Sequence, residues 1–91
     1  MLELSFKPKD KWTEARIDKL CEKLGLAVTM KGILKSIGPN KHWHLKKGKA
    51  KGVLEITLML ESGEIILSVH DNRKGDWEED MMKQVKKAMQ Q

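Results

Sequence analysis

The 91 residues predict an α+β domain: an antiparallel β-sheet in the order β-α-β-β-β-β-α, with two helices packed on one face. Three observations carry this expectation. Apolar residues alternate with period two in several short segments, as in half-buried strands. Two other segments repeat their apolar residues at helical spacing. Short turns join four consecutive strands as two hairpins, which makes the sheet an antiparallel meander. A chain of this length supplies one hydrophobic core, so residues 1–91 form a single domain.

At the N-terminus Leu2, Leu4 and Phe6 alternate with Glu3 and Ser5, and Pro8 ends the strand because it lacks a ladder N–H. Asp10 is the expected N-cap of a helix over residues 11–24. Ile17, Leu20, Cys21 and Leu24 share one face of that helix, and Gly25 suits its left-handed C-cap. A looser alternation runs from Val28 to Ile37, followed by the turn Gly38-Pro39-Asn40-Lys41. His42, His44 and Lys46 then alternate with Trp43 and Leu45. A four-residue turn would set Ile37 opposite His42, Lys35 opposite His44, Ile33 opposite Lys46 and Leu34 opposite Leu45.

Lys47 to Gly52 reads as a flexible loop. Val53 to Glu61 has the clearest strand pattern, and Ser62-Gly63 is the expected two-residue hairpin turn. Counting outward from that turn pairs Leu60 with Ile65, Leu58 with Leu67, Ile56 with Val69 and Glu55 with His70. It also opposes Glu61 to Glu64, an unfavourable like-charge pair. Asp76 is the expected cap of the last helix, with Glu79 completing a capping box. Trp77, Met81, Val85, Ala88 and Met89 form its apolar stripe.

Charge is unevenly distributed. The chain has 18 Lys+Arg and 13 Asp+Glu, yet Ala27–Gly52 holds seven lysines and no acidic residue. A local positive field of this kind attracts anions whatever the distant surface carries. The single Cys21 excludes an intramolecular disulfide and a multi-cysteine zinc site, and a small core residue is the expected role. No apolar run approaches the roughly 20 residues needed to span a bilayer. MLELSFKPKD lacks the order of a signal peptide, so the expected location is cytoplasmic, with no membrane partner.

Two helical stripes cover one side of the sheet. Trp43 belongs to that side, so His42 and His44 point to the other, about 7 Å apart along the strand. The uncovered side is expected to carry Lys31, Lys35, His42, His44, Lys46, Thr57, Ser68 and His70, with Ile33, Ile37, Met59 and Ile66 among them. The leading functional expectation is a small basic domain that binds RNA or DNA. Lys31, Lys35, Lys41, His42, His44, Lys46, Lys47, Lys49, Lys51 and Arg73 would meet phosphate, and the Lys46–Lys51 loop would follow a backbone. The alternative is a protein-interaction or homodimerisation module with an acidic partner or a second copy, in which the lysines merely solvate the face. A histidine-based metal site or ribonuclease ranks below both, because His-x-His on a strand is weak evidence. No catalytic residue, metal ligand or cofactor is assigned.

The segment Gly38-Pro39-Asn40-Lys41-His42 resembles the Gly-Pro-x-His loop of double-stranded-RNA-binding domains over these few residues. That family opens its final helix with lysines. Here Asp76, Glu78, Glu79 and Asp80 stand there and would repel phosphate, so no membership is claimed.

Overall fold

The computed structural model describes residues 2–34, 40–70 and 75–90. Their elements are β1 (Leu2–Phe6), α1 (Glu14–Lys23), β2 (Ala27–Leu34), β3 (Asn40–Lys46), β4 (Leu54–Leu58), β5 (Ile65–Val69) and α2 (Glu78–Met89). The strands form one antiparallel sheet in the order β1-β5-β4-β3-β2. The N-terminal strand thus extends the meander at its far edge, with Leu4 opposite Leu67 and Phe6 opposite Ile65. Among the described residues no helix is long and apolar enough to cross a membrane.

Both helices lie on the face that carries Trp43, Leu45, Leu54, Ile56, Leu58, Ile65, Leu67 and Val69, and these residues are buried. Ile17, Leu20 and Cys21 of α1, with Met81, Met82, Val85 and Met89 of α2, complete the same cluster. Burial pushes the Cys21 thiol up to about 11, and the nearby charge of Asp18 adds to the shift. The thiol is therefore protonated at neutral pH, as suits a core residue. Trp12 closes the core by donating from Nε1 to the Met89 carbonyl at 3.2 Å, with the Arg16 guanidinium over its ring.

The helix starts differ from expectation. Thr13, not Asp10, caps α1, its hydroxyl accepting from the Arg16 N–H. In α2 Trp77 takes the cap position without a side-chain bond. The first-turn Glu78 folds back instead and accepts from the Gly75 N–H at 2.6 Å and the Trp77 N–H at 3.3 Å. Asp76 stays exposed, and the expected capping box is replaced by one buried carboxylate.

Two strand registers also differ, with opposite consequences. In the β4–β5 hairpin Leu58 pairs with Ile65, Ile56 with Leu67 and Glu55 with Ser68, a slip of two residues from the expected pairing. Met59 N–H donates to the Glu64 carbonyl and Gly63 N–H to the Met59 carbonyl, so the turn is longer than Ser62-Gly63. Gly63 supplies the positive φ of 76° that this turn requires. Leu60 leaves the sheet and is 42% exposed, and Glu61 no longer opposes Glu64. An even slip leaves every side chain on its expected face.

In the β2–β3 hairpin Gly32 pairs with His42, Met30 with His44 and Ile33 with Lys41, where Ile37, Lys35 and Lys46 were expected. That slip is odd, so it reverses the faces of β2. Lys31 lies opposite Trp43 and shares its helix-covered side. A bulge between Val28 and Met30 then resets the pairing to Val28 with Leu45, and Thr29 donates from its hydroxyl to the His44 carbonyl.

Candidate functional site

The site is built around β4 because that strand lies at the middle of the sheet. Its helix-side residues are buried by packing. Its opposite face is screened by the neighbouring strands, so Glu55 and Thr57 are only 5% exposed on a face that no helix covers. Period-two geometry sends Trp43 to the helices, where its indole N–H donates to Asp18 Oδ1 at 2.9 Å. His42 and His44 therefore emerge on the other side, above Thr57 and Glu55 in the β3–β4 pairing.

The two imidazoles lean together, edge to face, with ring centroids 5.0 Å apart. His42 is engaged at both nitrogens. Its Nε2 lies 2.9 Å from Glu55 Oε1, where an N–H donates to the carboxylate, and its Nδ1 lies 2.8 Å from the Thr57 hydroxyl. His44 Nε2 stands 3.1 Å from His42 Nε2 and 3.5 Å from Glu55 Oε1. His70 Nε2 approaches the other carboxylate oxygen, Oε2, to 3.1 Å from an exposed position just past β5. That contact lacks hydrogen-bonding geometry, and Oε2 is a buried oxygen with no hydrogen-bond partner. Two imidazoles and one carboxylate thus converge among the described residues, their potential ligand atoms within 4.8 Å of one another.

The ten expected phosphate-binding residues fall into separate places. Lys31 and Lys41 lie on the helix side, opposite to the expectation for Lys31. Lys31 Nζ meets Asp18 Oδ2 at 2.8 Å and Glu14 Oε2 at 3.4 Å, and Lys41 Nζ meets Glu14 Oε1 at 3.5 Å. Burial raises the Asp18 carboxyl, but the Lys31 ammonium and the Trp43 N–H outweigh it and hold the group below the ordinary carboxylate range. The hydrogen bond to Asp18, reinforced by Glu14, raises Lys31 in turn. His42 is buried in the cluster just described, and His44 is half-buried beside it.

Lys46 follows on the open face, and Lys47, Lys49 and Lys51 project from the turn into β4. These four lysines make no ion pair with any described residue. Lys35 and Arg73 lie outside the described residues. Of the expected apolar island, Ile66 and Met59 are half-buried, Ile33 pairs with Lys41 in the shifted register, and Ile37 lies outside the described residues, while Met30, opposite His44, is exposed.

Two features escaped the sequence. Glu55 was legible only as a cross-strand partner for His70, although a carboxylate between Leu54 and Ile56 in the clearest strand pattern was itself a signal. The Lys47–Lys51 turn is also anchored rather than free. The Ala50 N–H donates to the Lys47 carbonyl, and the Trp77 indole donates to the Lys51 carbonyl at 2.8 Å. The chain matches no protein-family model, no curated protein and no solved structure.

Proposed function

We propose that the chain binds a polyanion, RNA or DNA, at the end of the open face formed by Lys46, Lys47, Lys49 and Lys51. The observation that supports this reading is the partition of the lysines. Glu14 and Asp18 neutralise Lys31 and Lys41 on the helix side, while Lys46 at the end of β3 and the three lysines of the following turn lack carboxylate partners among the described residues. Ammonium groups gain affinity for a nucleic-acid backbone by releasing its condensed counterions, and those already paired to carboxylates contribute least. The turn, anchored by Trp77, is ordered on binding at a smaller cost than a free loop would be. His42 is excluded from direct phosphate contact, because Glu55 and Thr57 occupy its nitrogens.

Fluorescence anisotropy of labelled duplex and single-stranded RNA and DNA, in EDTA over a salt series, tests this reading. For the duplex the logarithm of affinity should fall against the logarithm of salt with a slope of about −3 to −4, as four phosphate contacts imply. Changing Lys46, Lys47, Lys49 and Lys51 together to Gln should remove most of that slope. Lys31→Gln should leave the slope nearly intact. Absent or salt-insensitive binding would remove the proposal, and so would equal dependence on Lys31.

A further inference from the structure

We infer that His42, His44 and Glu55 form a binding site for a divalent transition metal, zinc being the best fit. The inference stands on geometry independent of the lysine turn. His42 Nε2, His44 Nε2 and Glu55 Oε1 make a triangle with sides of 2.9, 3.1 and 3.5 Å. Zinc binds imidazole nitrogen and carboxylate oxygen at about 2.0–2.2 Å in a tetrahedron, whose ligand-to-ligand edges are then about 3.3–3.5 Å. The three sides are close to those edges, so a cation can be seated with small side-chain movements.

The local hydrogen bonding points the same way. His42 Nε2 faces both Glu55 Oε1 at 2.9 Å and His44 Nε2 at 3.1 Å, so three potential ligand atoms crowd around one proton. With the His42 proton moved to Nδ1, a cation in that space takes the Nε2 lone pairs of both histidines and Oε1 of Glu55. Glu55 is a buried carboxylate whose Oε2 has no hydrogen-bond partner, and a divalent ion beside Oε1 supplies the counter-charge such a group needs. Thr57 completes the arrangement from behind. When His42 ligates through Nε2, its Nδ1–H donates to the Thr57 hydroxyl 2.8 Å away, which fixes the tautomer and the ring orientation. Two imidazoles and one carboxylate leave the fourth tetrahedral position open to water or an exogenous ligand on the uncovered side of the sheet. Nitrogen and carboxylate donors without thiolate suit zinc better than calcium or magnesium, which prefer all-oxygen shells.

Isothermal titration of the full chain, stripped with EDTA and dialysed, with zinc chloride at neutral pH tests the site. The expected result is saturable binding of one zinc per chain. His44→Ala and Glu55→Gln should each weaken it at least about 100-fold, and Thr57→Val about 10–100-fold, the range for removing the group that orients a ligand. Circular dichroism of each variant confirms that it remains folded. His44→Ala is the safest of the three, because that side chain is half-buried rather than fully enclosed. The lysine-turn variant should bind zinc like the parent, so this result is separable from that of the anisotropy series. No stoichiometric binding, or binding unchanged in His44→Ala and Glu55→Gln, would overturn the inference. Insensitivity to Thr57→Val in a folded protein would also count against it, because an incidental pair of surface histidines would not depend on that hydroxyl.

Discussion

Replacing Trp43 by alanine is expected to destabilise the domain by about 3–5 kcal/mol, the usual cost of removing a large buried aromatic side chain. The residue is 0% exposed and sits on the helix-facing side of β3 within the single core cluster. Its removal opens a cavity between the sheet and α1. It also takes the indole donor from Asp18, which among the described residues then keeps Lys31 alone. Against a typical total of about 5–15 kcal/mol, a loss of this size leaves a domain that unfolds at a far lower urea midpoint. Trp43→Phe keeps most of the packing and loses the N–H, so its loss attributable to that bond should be about 1 kcal/mol. Urea denaturation of both variants checks the pair. A near-neutral Trp43→Ala would mean that the ring does not pack under the helices.

Gly75→Ala should cost about 3 kcal/mol, the upper part of the range for overpacking, because the obstacle is backbone. A Cβ at this position would fall on the carbonyl of Lys51, with the Glu78 carboxylate close by. The same carboxylate accepts the Gly75 N–H, and the Lys51 carbonyl accepts the Trp77 indole. One substitution therefore forces apart the β3–β4 turn and the start of α2, disturbing the buried cap and the anchor of the lysine turn together. Gly32→Ala is the control. Its Cβ would meet nothing within 4 Å and its φ is not positive, so the change should be close to neutral or slightly stabilising. Thermal unfolding of the two variants side by side should show a large drop for Gly75→Ala alone, and equal behaviour would contradict the close contact.

The difference between what the sequence showed and what it hid follows from which interactions are local. The alternation around Trp43 and through Leu54–Leu58 is strong, so the two faces of the sheet were legible before any pairing was known. The β4–β5 error was harmless, since a slip of two preserves the pleat. β2 was different. Val-Thr-Met-Lys-Gly-Ile-Leu mixes apolar and polar residues on both parities and contains a glycine, so its pattern specifies register weakly. The register observed there places Lys31 beside Asp18 and Glu14 of α1, a tertiary ion pair that alternation along β2 cannot reveal.

The caps failed for a related reason. Asp10 and Asp76 have the right chemistry for capping, but the chain chose Thr13 and a folded-back Glu78, which packs against Gly52 from the β3–β4 turn as well as against neighbouring Gly75. Glu55 was hidden likewise. Reading it as the hub of three histidines requires knowing that β3, β4 and β5 are consecutive neighbours and that the imidazoles of β3 lean across onto β4.

Ring-nitrogen NMR of the histidines, in the parent protein and in Glu55→Gln, probes most directly the idea that an inward indole forces the imidazoles onto a common carboxylate. The geometry predicts that the nitrogen resonances of His42, His44 and His70 all shift on this change, while the Trp43 indole N–H, bonded to Asp18 on the far side of the sheet, stays in place. Imidazole resonances indifferent to the substitution, or a Trp43 indole that moves with them, would contradict the account.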